Sequence, residues 1–262
     1  AFDQVVSDTA SKTAHRSDRP TSGQGIELTP LERRIDGDQV RYQDLKIDLD
    51  REVGVAYIQL GGPADAPPSD LAGIHAAGDG FWPLALARQL DDAVLHLRLN
   101  ESEAGTWVFR TRGNSSLVAA YDDILVENDS DWLVREITLY LKRTLKRLDV
   151  SSRSLVTLIE PGSCFAGTLL ELALAADRCY MLDGNFEDHP TSPEAKVMLT
   201  SMNFGPLPMV NGITRLEGRF LGQVGAIEAI RERTGVDLDA QAALDLGLVT
   251  FIPDDIDWEG EV

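Results

Sequence analysis

Ser152-Arg-Ser-Leu-Val-Thr-Leu-Ile-Glu-Pro-Gly-Ser-Cys-Phe-Ala-Gly-Thr-Leu-Leu-Glu-Leu-Ala-Leu-Ala-Ala-Asp177 decides the fold. Leu155 to Ile159 reads as a short apolar strand. Gly162 to Gly167 is a tight turn of small residues, and Thr168 to Ala176 is a strongly apolar helix. A strand that turns sharply into a helix aims free backbone N–H groups at whatever sits over the turn. Such a turn suits an anion or an oxyanion. Glu171 falls about one turn into the helix, among Leu and Ala. A carboxylate there is either a working acid/base or a buried group that needs a partner.

Outward from this stretch, strands alternate with helices. Arg41 to Leu60 reads as a hairpin, with Tyr42, Leu45, Ile47 and Leu49 alternating on one strand. Ala64 to Gly80 is rich in Pro, Ala, Asp and Gly and reads as a mobile loop. Trp82 to Leu99 is an amphipathic helix with Leu86, Leu90, Val94 and Leu97 on one face. Thr106 to Phe109 is a buried strand. Asp131 to Asp149 is a second amphipathic helix, with Leu133, Ile137, Leu141, Leu145 and Leu148 as its stripe. Arg135, Lys142, Arg143, Lys146 and Arg147 lie on its other face, read as a solvated face with acidic neighbours or as a landing site for ligand phosphates. A strand at Arg178 to Leu182, helices at Ala226 to Arg233 and Asp237 to Leu246, and a closing strand at Leu248 to Ile252 complete the pattern. The alternation argues an α/β fold with mainly parallel strands. Residues 1–38 are polar, show no sustained period, and read as a linker or extension.

The net charge of −19 argues against non-specific nucleic-acid binding and against an anionic membrane surface. No apolar run approaches a membrane span and no signal peptide opens the chain, so a cytoplasmic protein is expected. Cys164 and Cys179 are too few for a disulfide framework or a zinc site. Cys164 lies in the turn, but with no His nearby it reads as a small buried residue. His15, His75, His96 and His189 are scattered over linker, loop and helix surface and form no catalytic set.

Three segments resemble the crotonase (enoyl-CoA hydratase/isomerase) superfamily. Asp239-Ala-Gln-Ala-Ala-Leu-Asp-Leu-Gly-Leu-Val-Thr-Phe-Ile-Pro253 is similar to its "A..A...GLV...P" segment. Gly162 to Asp177 resembles its "NG...GGG.ELA...D" segment, and Arg110 to Asp122 occupies the place of "TG.G..F.AG.D". More closely, Asp149-Val-Ser-Ser-Arg153, Ile159 to Thr168, Met202-Asn-Phe-Gly205 and Gly212-Ile-Thr-Arg-Leu216 resemble the ring-cleaving lyases of aerobic benzoyl-CoA degradation. Those carry two crotonase-like halves in tandem, and this chain resembles the second. The resemblance implies an α/β fold of repeated ββα units over residues 39–262, with chain missing at its C-terminal end. It implies a lyase that opens 2,3-epoxybenzoyl-CoA hydrolytically and releases formate. No metal or separate cofactor is implied, since coenzyme A is part of the acyl-CoA substrate. The implied partners are a preceding crotonase-like domain of the same protein and a second copy in a homodimer.

Carried over residue by residue, the oxyanion N–H donors would be Ala119 and Gly167, and the acid/base residue Glu171. A second family glutamate matches Glu194 only through Pro193-Glu194. The family's "GGG" is Ala166-Gly167-Thr168 here, with two of three glycines lost. Non-glycine residues restrict the backbone and block close approach of a ligand. This favours a non-catalytic structural half, in which Glu171 pairs with a buried Arg or backbone donors, over a half with a working thioester site. An enoyl-CoA hydratase or isomerase is the lesser enzyme alternative.

Overall fold

The computed structural model describes residues 2–18, 23, 25–188, 191–223 and 225–262. His189 lies outside the described residues. In chain order the elements are α1 (Phe2–Ala14), β1 (Arg34–Asp36), β2 (Gln39–Arg41), β3 (Leu45–Asp50) and β4 (Val55–Gly61). Then come α2 (Leu71–Ala77), α3 (Trp82–Asn100), β5 (Thr106–Arg112), α4 (Ser115–Glu127) and α5 (Trp132–Asp149). The organising stretch supplies β6 (Ser154–Ile159) and α6 (Gly167–Ala175), followed by β7 (Arg178–Met181) and β8 (Val197–Met198). A 3-10 turn (Ser201–Phe204) precedes α7 (Arg215–Arg219), α8 (Ala226–Arg231), β9 (Asp237–Leu238), α9 (Ala240–Asp245) and α10 (Asp255–Glu261).

Strands β1 to β7 form one seven-stranded sheet in chain order. The β1–β4 part is antiparallel, because short turns join its strands. From β4 onward the sheet is parallel, and each crossover carries helices. One face of the sheet packs on α3 to α6, with Trp107, Phe109, Ile58, Leu60 and Phe165 fully buried between the layers. The other face carries a small cluster around Val108, Leu158, Tyr180 and Trp258. The strands β8 and β9 pair in a separate two-stranded sheet.

The long amphipathic helices are where their apolar spacing puts them. Asp131 caps α5 by accepting from the N–H groups of Leu133 and Val134, and the whole Leu133–Leu148 stripe is buried. Several segments differ from the reading of the sequence, among them the expected helix at Asp237 to Leu246, whose first residues form β9 while the helix spans only Ala240–Asp245. The polar leader contains helix α1, none of whose residues is buried, so it needs no apolar stripe to betray it. The expected mobile loop at 64–80 contains α2 and a 3-10 turn, started by Asp70 accepting from the Gly73 N–H at 2.8 Å. Cap chemistry outweighs the Pro and Gly content there. The closing strand expected at Leu248 to Ile252 is an isolated parallel bridge from Phe251 to Tyr180. Among the described residues no helix is long and apolar enough to cross a membrane.

The two faces of α5 give a direct check. Leu141→Ala removes a buried side chain and is expected to destabilise by about 2–5 kcal/mol. Leu139→Ala, on the exposed face of the same helix, is expected to stay within about 0.5 kcal/mol. Urea unfolding of both variants measures the difference.

Candidate functional site

The turn between β6 and α6 is exposed at Gly162 and buried from Cys164 to the start of the helix. Ala166 is the N-cap residue of α6 and has no side-chain acceptor to offer the helix. The acceptor comes instead from α4. The Thr168 N–H donates to Asp122 Oδ2 at 2.9 Å, and the Thr168 hydroxyl donates to Oδ1 at 2.5 Å. The Thr200 hydroxyl donates to Oδ2 at 2.8 Å. A carboxylate at a helix N-terminus meets both orphan N–H groups and the positive end of the macrodipole. Asp122 therefore occupies the position that an oxyanion would take at this N–H.

Gly167 makes that approach possible. Its φ is +41°, and a Cβ added there would lie 1.7 Å from Asp122 Oδ2 and 2.3 Å from Thr200 Oγ1. The glycine at the helix start is thus needed for the protein's own carboxylate. Strand β8 crosses the same turn, with the Met198 N–H bonded to the Phe165 carbonyl at 3.1 Å.

Glu171 lies one turn further into α6 and is 1% exposed. Its Oε1 accepts from Asn203 Nδ2 at 2.6 Å, and its Oε2 accepts from Arg215 at 2.7 Å. Arg215 also holds Asp149, at the end of α5, through Nε and Nη2. Asn203 links the two halves of the cluster. Its Nδ2 also donates to the Gly167 carbonyl at 2.9 Å, and its Oδ1 accepts from the Thr200 N–H at 3.0 Å. The result is one buried chain of polar contacts, Asp122–Thr200–Asn203–Glu171–Arg215–Asp149.

Burial sets the electrostatics. It pushes the Asp122 carboxyl up to about 7, against the hydrogen bonds from Thr168 and Thr200 that pull it down. Burial also raises Glu171, opposed first by the charge of Arg215 and then by the Asn203 hydrogen bond. Burial raises the Cys164 thiol, so it is an inert core residue, and Cys179 is pushed up to about 12.

The expected site residues are only partly brought together. Gly167 and Glu171 share the network. Ala119 is the fifth residue of α4 and partly buried, beyond the four N–H groups that a helix leaves free. At that position an N–H ordinarily serves the helix's own hydrogen-bond ladder. Glu194 is exposed, and the partners of Glu171 are Asn203 and Arg215. Two cations of the basic face of α5 pair with acid, Arg147 at 2.6 Å and Arg143 at 3.8 Å from Asp91. His75 pairs with Asp131 at 3.0 Å, and His96 faces Asn100 and Glu101. Among the described residues no group of His, Cys, Asp and Glu is placed to hold a metal.

Sequence reasoning missed Asp122, Thr200, Asn203 and Arg215. Asp122 carried a signal, because it sits in the apolar stripe of α4 between Val118 and Leu125. The other three became functional only through contacts made 30 to 80 residues away, which no local pattern shows.

A scan against protein-family models finds none that matches. Over its whole length the chain is 44% identical to benzoyl-CoA-dihydrodiol lyase of Aromatoleum evansii, and it covers 46% of that protein. It thus spans about half the length of the curated relative that it matches. An enoyl-CoA hydratase structure from Bacillus anthracis superposes with a TM-score of 0.55 at 20% identity, over 84% of this chain and 73% of that one. An enoyl-CoA hydratase/carnitine racemase structure from Magnetospirillum magneticum gives 0.57 at 14% identity, over 86% of this chain and 73% of that one. The fold is therefore the α/β crotonase fold of the enoyl-CoA hydratases.

The raised carboxyl of Asp122 makes a prediction about pH. A group whose folded pKa lies above its unfolded value of 3.8 favours folding fully below that value, and the contribution is lost as pH rises through about 7. Asp122→Asn removes this titration. The loss of stability of the wild type between about pH 4 and 7, measured by denaturant unfolding, should be visibly steeper than that of the variant. Parallel curves would refute the assignment.

Proposed function

We propose that this chain is the structural crotonase-fold half of a lyase acting on an aromatic CoA thioester. The whole enzyme opens the ring of 2,3-epoxybenzoyl-CoA hydrolytically and releases formate. Coenzyme A enters as part of the substrate, and no separate cofactor takes part. The preceding crotonase-like domain carries the thioester site, and the protein pairs as a homodimer. The 44% identity to a named benzoyl-CoA-dihydrodiol lyase supports the substrate class.

One observation carries the division of labour: the Asp122 carboxylate on the Thr168 N–H. A crotonase-type site stabilises an enolate-like thioester oxygen with backbone N–H groups aimed at one point. In this half the adjacent Thr168 N–H already serves a buried carboxylate, which also crowds Gly167, the expected donor. The candidate proton carrier is equally committed, since both oxygens of Glu171 are held by Asn203 and Arg215. An acid/base residue must reach the proton it moves. A carboxylate fixed in a dry ion pair instead joins α6 to α7 and, through Arg215, to the end of α5.

Glu171→Gln in the full-length enzyme separates the roles. The substitution breaks one member of a buried charge cluster, so stability should fall by about 3–5 kcal/mol. The kcat/KM for formate release, measured on the folded fraction, should stay within about threefold of wild type. Loss of a general acid/base would lower it by roughly 10² to 10⁴ instead, and such a loss with the fold intact would refute the structural role.

A further inference from the structure

The antiparallel end of the sheet sets three cations side by side. Arg34 of β1 stands directly opposite Arg41 of β2. Arg41 stands directly opposite Lys46 of β3. Directly opposed residues of antiparallel strands share a face with Cβ atoms about 5 Å apart, and like charges so placed repel. The chain carries 43 acidic residues against 24 basic ones, so neutralising neighbours were plentiful. Only one of the three cations uses such a neighbour. Arg34 has no ion pair or side-chain hydrogen bond among the described residues. Arg41 donates to the neutral side chain of Gln39. Lys46 alone has a counter-charge, Asp48 at 3.1 Å, and both are well exposed. Guarding an edge strand against aggregation needs charge, but charges of alternating sign would serve without repulsion.

The row also lines concave surface. Arg34 and Arg41 face a cleft of about 830 Å³ under the Thr29–Glu32 segment. Arg41 and Lys46 border a second cleft of about 460 Å³ that runs on to Gln59. Within the larger cleft Arg88 is neutralised by Asp79 at 2.9 Å, and Glu32 is its other acidic residue. With Glu32 set against the Arg34–Arg41 pair, the lining keeps a net positive charge at that pair.

We propose that the Arg34–Arg41–Lys46 row is a binding site for a small molecule carrying two or more phosphate groups. Strands lie about 4.8 Å apart, so the row spans roughly 10 Å, enough to meet two phosphates in succession. A phosphate between the two guanidinium groups turns their repulsion into charge-assisted hydrogen bonds, with the planar fork of Arg matched to two oxygens. Lys46 supplies a point charge to the next group. The net charge of −19 repels nucleic acid from the rest of the surface, so the ligand is small. All three cations are exposed, and binding weakens as salt rises. The site stands apart from the lyase reading, since nothing in it involves the α6 turn.

Arg34→Glu tests the site, using the full-length protein and inorganic pyrophosphate at low ionic strength in titration calorimetry. The wild type is expected to bind pyrophosphate, and Arg34→Glu to weaken it at least tenfold. Arg135→Glu, a charge reversal on the exposed face of α5, is expected to leave the affinity unchanged. Without pyrophosphate, Arg34→Glu should raise the melting temperature, because it places a carboxylate opposite Arg41. A structural role for Arg34 would lower it. No binding by the wild type, unchanged affinity in Arg34→Glu, equal weakening in Arg135→Glu, or a lowered melting temperature for Arg34→Glu would each overturn the proposal.

Discussion

The contact between the Asp122 carboxylate and the N-terminus of α6 is the constraint on which the rest of this structure depends. The strand–turn–helix unit at its centre has an apolar N-cap residue, Ala166, and so cannot cap itself. A helix end buried without partners for its N–H groups is strongly unfavourable. The acceptor therefore has to be imported, and α4 supplies it. Once a carboxylate is buried there, it needs donors of its own, which are the hydroxyls of Thr168 and Thr200. Thr200 in turn fixes the 3-10 turn that presents Asn203, and Asn203 reaches Glu171. Each buried polar group requires the next until Arg215 and Asp149 close the series at the end of α5. Low dielectric makes such a network stiff when complete and costly when broken.

The same geometry explains why a turn suited to catalysis need not be catalytic. A helix N-terminus does not distinguish an oxygen that arrives on a substrate from one that arrives on a neighbouring helix. What distinguishes them is space. At Gly167 the space where a ligand would approach the backbone is taken by Asp122 and Thr200. The non-glycine residues Ala166 and Thr168 on either side agree with the proposed structural role, because Gly167 alone has to let the internal carboxylate in.

Much of the fold was legible in the sequence because it rests on local periodicity. The Leu133–Leu148 stripe, the alternation through Leu45, Ile47 and Leu49, and the apolar run Leu155–Ile159 each state their element directly. Helices α1 and α2 were not legible. The first buries nothing, so selection on its spacing leaves no stripe, and the second is a single capped turn or two inside a Pro- and Gly-rich segment. At the site, Glu171 was legible as a charge in an apolar helix, and so was its need for a buried Arg. Which Arg answers that need was not, because Arg215 lies 44 residues further along the chain and meets it only through tertiary packing. The cation row was hidden for a related reason: Arg34, Arg41 and Lys46 look scattered until strand register aligns them.

The claim that the turn is filled by its own carboxylate is tested most directly by carbon-13 NMR of the Asp122 side chain, followed as a function of pH alongside the Thr168 amide proton. The account predicts a carboxyl that titrates near 7, with the Thr168 amide strongly hydrogen-bonded and shifting at the same midpoint. A carboxyl titrating near the ordinary value of about 4, with a Thr168 amide indifferent to it and exchanging freely with solvent, would contradict the account.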